Sequence, residues 1–465
     1  MVDIPLQRAT ERVLLTAPRW RALASRAAEL AGGASACAVA LATGQVFGAR
    51  LLSQVTTLVA SVLIARELGP GAFGAYAFCL ALAMVVSDIP GSGLDMSAVR
   101  VSAGTWARSP GRARSALAVT ASTKAGFGLS VAAFGLLAGD WLAADALGQP
   151  HLALPLKIAA LAALPLGLNE SMLAILQTQE RFGRMLALQV AIAAFKLVPV
   201  IALIAAGALT LDRALAVFLL VAYGSSCVSG LAAWQVARGP LKDGLAAAHE
   251  LFALGRWLIP ATVLGAVITN LDVVALTHLA GPEATGLYSS ARNLAVPIGV
   301  VGAAVGTVLL PRLGRMQGEG PIGSHVRNLM LRIACVTALV ELVILFLAPI
   351  LIPVVYGSEY ASAVPIFQVL ALAYGLQVAA WPLVAALITM DRPDVVAKVA
   401  ICVLGLMVIG YAWATPTFGA LGTAGVLLAG CVVGLAFYWR IASRLLRTER
   451  SGSRVEAVLI PATGN

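Results

Sequence analysis

The chain has 465 residues, of which 60% are hydrophobic and 12% are charged, and its formal net charge is +10. A soluble domain of this size is about a quarter charged, so the composition excludes a water-soluble fold and indicates a polytopic membrane protein. The positive charge does not indicate a nucleic-acid partner, because the basic residues fall in short connections between apolar segments, where they set membrane orientation.

Apolar segments about 20 residues long recur along the chain, and each is long enough to cross a hydrocarbon core of about 30 Å as a helix. They predict an all-α polytopic membrane protein with about twelve transmembrane helices. In chain order, the predicted spans are 40–65, 72–98, 115–138, 153–177, 185–207, 213–236, 257–280, 285–310, 329–354, 362–389, 394–414 and 419–440.

The connections between the spans divide the chain into five parts. Residues 1–35 are predicted to form a basic amphipathic segment on the cytoplasmic surface, and residues 446–465 a cytoplasmic tail. Between them, residues 36–237 and 257–445 are predicted to form two six-helix bundles, which are joined by a cytoplasmic linker at 238–256.

Basic residues predict the orientation of the spans. They concentrate in alternate connections and in both terminal segments, whereas the other connections hold only Arg66 and Arg213 alongside acids such as Asp140, Asp212 and Glu283. Because basic residues stay on the cytoplasmic side of a membrane, both termini are predicted to be cytoplasmic and the number of spans to be even.

Two short motifs indicate that the second half of the chain repeats the first. The stretch LGPGAFGAY is followed 212 positions later (281 − 69 = 212) by AGPEATGLY, which pairs Gly69, Pro70, Gly74 and Tyr76 with Gly281, Pro282, Gly286 and Tyr288. A second pair, offset by 211 (392 − 181 = 211), aligns Thr178, Glu180 and Arg181 with Thr389, Asp391 and Arg392. A parallel repeat of this kind predicts two six-helix halves around a central cavity.

Several motifs together resemble those of one family. They are LxxxxLGPxxxGxY after the first span, NLD at Asn270–Asp272, LLPRLGR at Leu309–Arg315, and VVYGSEYASAVPIFQVLALAY at Val354–Tyr374. In this order they resemble the polysaccharide biosynthesis, or O-antigen type, flippases of the multidrug/oligosaccharidyl-lipid/polysaccharide exporter superfamily.

The resemblance implies a membrane transporter, not an enzyme, that moves undecaprenyl-diphosphate-linked oligosaccharide across the bacterial cell inner membrane by alternating access. It implies lipid-linked oligosaccharide, membrane lipids, and polysaccharide polymerase and export proteins as partners. It implies no cofactor, and energy from a Na⁺ or H⁺ gradient. The alternative within the superfamily is a multidrug/cation antiporter, whose cargo would favour an acidic or apolar cavity.

Four basic residues lie within predicted spans, namely Arg50, Lys124, Lys196 and Arg292. A charge within the bilayer costs about 2.5–3.5 kcal/mol on insertion scales, so each of these residues is a functional candidate. Since a diphosphate that crosses the membrane needs a cationic path, the four are predicted to bind it. The alternatives are pairing with an acid inside the membrane, or extension of the side chain to the membrane surface.

The positions of Asp272 and Arg292 predict an ion pair between them. They lie about nine residues before and ten residues after the turn at Gly281 and Pro282, which places them at similar depth on adjacent antiparallel spans. A structural ion pair therefore competes with a ligand role for Arg292. Asp272 and Glu341 are the predicted candidates for binding the coupling Na⁺ or proton that the resemblance implies.

Helix breaks within spans supply the remaining candidates. Asp88 and Pro90 lie in a stretch of proline and glycine residues within the second span, and their predicted role is a hinge, cavity lining or a packing kink. Trp381 precedes Pro382 inside a span and is predicted to line the cavity. The six cysteines form no CxxC pair, so no metal site or disulfide framework is expected.

Overall fold

The computed structural model describes residues 34–106, 109–178, 182–316, 322–389 and 393–459, which are almost entirely helical and contain no strand. Its helices are α1 (Ala34–Ser87), α2 (Gly91–Thr105), α3 (Pro110–Trp141), α4 (Ala153–Thr178), α5 (Phe182–Ala205), α6 (Leu211–Ala237), α7 (Gly244–Met316), α8 (Ile322–Tyr356), α9 (Val364–Thr389) and α10 (Pro393–Leu459). A π-helical turn (Leu142–Ala146) and two 3₁₀ turns (Pro150–Leu152 and Ser358–Ala363) lie in the connections. The all-α prediction is confirmed.

Two predicted features fall on residues that the structure does not describe. The basic N-terminal segment 1–35 lies outside the described residues except for its last two positions, and residues 460–465 of the predicted tail also lie outside them. The same holds for Glu180, Arg181, Asp391 and Arg392 of the second repeated motif.

Three glycines divide the longest helices. Gly69 in α1, Gly281 in α7 and Gly419 in α10 have φ values of 71°, 86° and 57°, a backbone conformation that side-chain-bearing residues rarely adopt. Thr277 and Thr285, eight residues apart across Gly281, place their hydroxyl oxygens 3.0 Å from each other. In a continuous helix they would be about 12 Å apart along the axis, so the chain reverses at this glycine.

The described residues contain nine apolar stretches long enough to cross a membrane. Three of these stretches, Leu52–Ser87, Leu258–Gly299 and Val395–Ile441, each contain one of the dividing glycines. Division at the glycines gives twelve spans, as the sequence predicts. We use "outer end" for the end of the bundle that carries the Gly69 and Gly281 turns, following the predicted orientation, and "inner end" for the opposite one.

The backbone repeats the duplication that the sequence predicts. Six of the seven glycines with positive φ in the described residues form three pairs, Gly69 with Gly281, Gly148 with Gly357, and Gly207 with Gly419. Their offsets are 212, 209 (357 − 148) and 212 (419 − 207) residues. The two halves therefore place their left-handed turns at equivalent positions, and the prediction of a parallel repeat is confirmed.

The two copies of the glycine–proline motif pack against each other at the outer end. A Cβ atom on Gly74 would lie 2.6 Å from the carbonyl carbon of Pro282, and one on Gly286 would lie 2.7 Å from that of Pro70. Glycine is needed at both positions because the backbones of the two hairpins approach this closely. The main hydrophobic core continues across this contact and includes buried residues from both halves.

The predicted linker at 238–256 is partly helical. Only the first part of this linker is non-helical, because α7 already begins at Gly244. Ala247 and Leu251 are fully buried, and Leu251 packs with Leu94 of α2 and Leu117 of α3. Burial of this apolar face against the first half accounts for the early start of the helix.

Candidate functional site

A short polar stripe on α1 joins the two halves about midway through the membrane. Thr57 and Ser61 lie one helical turn apart on α1, and Thr57 is about 18 Å from the Gly69 turn along the helix. Lys196 of α5 donates a hydrogen bond from Nζ to Thr57 Oγ1 at 3.0 Å. Asn293, in the second half, donates from Nδ2 to Ser61 Oγ at 2.7 Å.

Of the four cations that the sequence predicts to bind diphosphate, Lys196 is the one whose described contacts include this stripe, through Thr57. Within the described residues, no carboxylate oxygen lies within 4.0 Å of its Nζ atom, and its partner Thr57 is neutral. An ammonium group has three hydrogen-bond donors, so the one bond to Thr57 leaves two of them for another acceptor. Lys196 is thus a half-buried cation at mid-membrane depth without a counterion among the described residues.

Lys124 lies elsewhere, inside the first half. It is 2% exposed, its Nζ forms an ion pair with Asp95 of α2, and it donates to the carbonyl oxygen of Gly167 at 3.2 Å. Ser171 completes the cluster by donating to the other oxygen of Asp95 at 2.9 Å. The structure therefore shows the pairing with an intramembrane acid that was the alternative for Lys124, and binding of diphosphate by this residue stays a prediction.

Sequence reasoning missed Asp95, the partner of Lys124. The signal was present, because Asp95 is an acid inside the predicted span 72–98 and therefore needs a partner as much as a buried cation does. Asn293 and the two α1 hydroxyl groups were also missed. Only their spacing of one turn on a membrane helix distinguishes these hydroxyl groups from others that bond to their own backbone.

Arg292 forms the ion pair that its depth predicts. Its Nε atom lies 3.3 Å from Asp272 Oδ2, and its Nη2 donates to the carbonyl oxygen of Thr269 at 2.5 Å. Tyr288 also donates to Asp272 Oδ2, at 2.7 Å. The Val273 amide donates to Asp272 Oδ1 at 2.8 Å, so Asp272 has three partners in the second half. A ligand role for Arg292 and ion coupling through Asp272 stay predictions.

Glu341 of α8 has a different environment. It is 4% exposed, and neither of its carboxylate oxygens has a hydrogen-bond partner among the described residues. The carboxylate lies against Gly375 of α9, where a Cβ atom would be 2.6 Å from Glu341 Oε1. Glu341 is therefore buried at a contact between two helices of the second half, about 24 Å from the Gly357 turn along α8. Ion coupling through it stays a prediction.

The remaining candidates do not join the polar stripe through described contacts. Arg50 lies on α1, two helical turns before Thr57, but its side chain is outside the part of the chain that the structure describes. The predicted break in the second span is present, since α1 ends at Ser87 and α2 begins after Asp88 and Pro90. Trp381 is partly buried in α9. Hinge and cavity-lining roles for these residues stay predictions.

Hydrogen bonds between the halves continue from the stripe to the outer end. Four of these bonds are Asn293 to Ser61 (2.7 Å), Arg66 Nε to the Val355 carbonyl (2.7 Å), Tyr360 OH to the Ala65 carbonyl (2.8 Å) and Gln149 Nε2 to the Thr277 carbonyl (3.0 Å). We call these four bonds, together with the packed glycine motifs, the outer contact. The two halves are therefore in contact from the level of Ser61 to the outer turns.

The chain is similar in sequence to proteins of one family. The sequence profile of the polysaccharide biosynthesis protein family matches residues 43–317. A putative O-antigen transporter of Shigella flexneri is 22% identical over 111 residues, a stretch that spans 24% of this chain and 27% of that protein.

Solved structures of transporters share the fold. An inward-facing multidrug resistance MATE family transporter of the MOP superfamily superposes with a TM-score of 0.68 at 14% identity, covering 85% of this chain and 96% of its own. The lipid II flippase MurJ, in an inward closed conformation, gives 0.68 at 14% identity, covering 86% of this chain and 87% of its own. An outward-facing MATE family transporter gives 0.57 at 14% identity and covers 91% of this chain and 99% of its own.

Proposed function

Because the chain belongs to the polysaccharide biosynthesis protein family, we propose that it is a flippase for undecaprenyl-diphosphate-linked oligosaccharide, acting by alternating access. The proposal places it in the bacterial cell inner membrane with both termini in the cytoplasm. Its partners are then the lipid-linked oligosaccharide, the surrounding lipids, and the polymerase and export proteins that act on the translocated glycan.

Lys196 has no counterion among the described residues, and this is the observation that carries the proposal. A lipid-linked sugar keeps its apolar tail in the membrane, whereas its diphosphate must leave water and needs a cation on the path. A lysine that is already neutralised by a carboxylate, like Lys124 with Asp95, offers little attraction to a phosphate. Lys196 has two unused donors beside neutral groups, so a phosphate oxygen gains charge-assisted hydrogen bonds there without displacing an acid.

The polar stripe places the proposed diphosphate site next to a hydrogen bond between the two halves. Lys196 and Thr57 belong to the first half, and one turn further along α1 the Ser61–Asn293 bond connects the first half to the second. In a rocking mechanism, contacts at one end must separate while those at the other end form. A diphosphate held by Lys196 therefore lies next to a bond that opening of the outer end has to break.

Replacement of Lys196 tests the proposal. Hydrogen bonds to charged groups contribute about 1.5–3 kcal/mol, so Lys196→Ala is expected to lower transport by about 10- to 150-fold, with partial retention in Lys196→Arg. The measurement is the fraction of diphosphate-linked oligosaccharide that remains on the inner leaflet of cells producing each variant at equal level.

Lys157→Ala is the matched control, because it removes the same charge from a lysine that pairs with Asp140 at the outer end. Transport by this variant is expected to stay near the wild-type rate. If Lys196→Ala transports as fast as Lys157→Ala, the assignment of Lys196 to the diphosphate is refuted.

A multidrug/cation antiporter is the second candidate, because the fold matches a MATE family transporter as well as it matches MurJ. In that function the carboxylate of Glu341, which has no hydrogen-bond partner in the described part of the chain, would serve with Asp272 the Na⁺ or proton that drives exchange. Export of drug cations by purified protein in vesicles, without movement of lipid-linked oligosaccharide, would favour this candidate over the flippase.

A further inference from the structure

The segment between the halves is fastened to the inner end of the first half. Lys242 and Ser115 exchange two hydrogen bonds, from Ser115 Oγ to the Lys242 carbonyl at 2.8 Å and from the Lys242 amide to Ser115 Oγ at 3.1 Å. The helical part that follows is held by an ion pair between Arg112 and Glu250 at 2.7 Å. These contacts fix the segment at the level where α6 ends and α7 enters the membrane.

Basic side chains gather around this fastened segment. Arg238 lies over the ring of Trp234 at 5.5 Å, and Arg114 lies over the ring of Trp106 at 5.9 Å. The Arg114 guanidinium also packs on Gly239, whose φ is 134° and where a Cβ atom would lie 2.7 Å from its Cζ. Arg238 and Lys242 are exposed, and neither has a carboxylate within 4.0 Å among the described residues.

The same segment exposes large apolar side chains. Leu241 is 60% exposed and Leu245 is 89% exposed, and Phe252, two helical turns further, is 44% exposed on the same face as Leu245. The opposite face, which includes Leu251, is buried in the first half. Exposed leucines beside exposed basic residues at the end of a span are typical of a segment that lies in the membrane surface.

We propose that Arg238 and Lys242 bind the phosphate of an anionic glycerophospholipid of the adjacent leaflet, with Leu241 and Leu245 inserted among its acyl chains. The charge favours this partner, because Arg238, Lys242 and Arg114 outnumber the exposed acid Asp243 of this segment, and Glu250 is already paired with Arg112. The position favours a lipid over a soluble anion, because exposed leucines gain free energy only where hydrocarbon covers them. The site lies at the inner end, whereas Lys196 lies 14 residues, about 21 Å, from the inner end of α5 along that helix, so the two sites are separate.

The test compares lipid binding by full-length variants. Purified protein is placed in nanodiscs of phosphatidylcholine with or without phosphatidylglycerol, and bound phosphatidylglycerol is counted by native mass spectrometry after mild delipidation. A basic residue near an anionic surface contributes about 1 kcal/mol, so Arg238→Ala/Lys242→Ala is expected to lower the affinity for phosphatidylglycerol by about 10- to 30-fold. Leu245→Ser is expected to weaken binding without loss of fold, because its side chain is almost fully exposed.

The double variant Lys398→Ala/Arg440→Ala is the control, since it removes equal charge from exposed positions near the inner end of α10. Three results would overturn the proposal: unchanged phosphatidylglycerol affinity in Arg238→Ala/Lys242→Ala, an equal loss in the control, or retention of undecaprenyl phosphate in preference to phosphatidylglycerol at this site. Because lipid binding is measured without transport, failure of this site and failure of the diphosphate site are distinguishable.

Discussion

Replacement of Gly74 by alanine tests whether the outer contact is a closed state that the protein must leave during transport. The new Cβ atom would lie 2.6 Å from the carbonyl carbon of Pro282 and 2.8 Å from the amide nitrogen of Gly286. Both are backbone atoms of the other half, so no side chain can move aside. An ordinary contact needs 3.4 Å, and the halves must therefore separate by at least 0.8 Å at this point.

When the two halves separate as rigid bodies by 0.8 Å, every hydrogen bond of the outer contact lengthens by a similar amount. Bonds of 2.7–3.0 Å become 3.5 Å or longer, which is beyond a normal hydrogen bond. At about 0.5–1.5 kcal/mol for each bond, the loss of all four disfavours the closed outer end by about 2–6 kcal/mol. This corresponds to a shift of at least about 30-fold toward conformations with the outer end open.

The shift is measurable as a distance distribution between spin labels at Asp145 and Glu283, exposed positions in the two halves at the outer end. Native cysteines are replaced in the background, and Gly71→Ala serves as the control, because a Cβ atom there meets nothing within 4 Å. Gly74→Ala is expected to lengthen the distance and to slow transport, whereas Gly71→Ala leaves both unchanged. A wild-type distance distribution in Gly74→Ala would refute this account of the outer contact.

Three further predictions concern the buried charges. Lys124→Met leaves Asp95 buried without its cation and is expected to lower the free energy of unfolding by about 3–5 kcal/mol, whereas adding Asp95→Leu is expected to restore it. Thermal unfolding of the single and double variants checks this, and an equally unstable double variant would contradict it. Arg292→Met is expected to destabilise less than Lys124→Met, because Asp272 keeps two donors, Tyr288 and the Val273 amide, whereas Asp95 keeps only Ser171 among the described residues; the same assay compares them. Glu341→Gln is expected to leave the unfolding midpoint unchanged or raised, since no bond is lost; a marked decrease would indicate a partner.

The turns of the fold were the part most accessible from the sequence. Gly69 and Gly281 are followed by the same proline and tyrosine, and a left-handed turn between two apolar runs leaves glycine as the preferred residue. The third pair, Gly207 and Gly419, is equally regular in the backbone and begins the same Gly-Ala-Leu triplet in both halves. Small apolar residues are too common in this chain for such a triplet to be distinctive in the sequence alone.

Contacts between the halves could not be predicted in this way. The sequence indicates nothing unusual about Arg66, which lies in a predicted outer connection. In the structure it donates hydrogen bonds to the carbonyl oxygens of Val354 and Val355 in the other half. Those carbonyl groups are available because α8 ends there, at Tyr356, so they have no partner later in their own helix. The sequence shows the donor but not which helix end will face it.

The pairing of charges shows where depth counting succeeds and where it fails. Asp272 and Arg292 flank one turn, so counting residues from that turn gives both depths, and the ion pair is predictable. Asp95 and Lys124 lie on α2 and α3, but Asp95 follows the break before α2, so residue counts from the Gly69 turn no longer give its depth. Once the structure assigns these two acids to their cations, Lys196 is distinguished by its lack of an acidic partner among the described residues. That distinction is a property of helix packing, and it identifies Lys196 as the cation whose replacement is most informative.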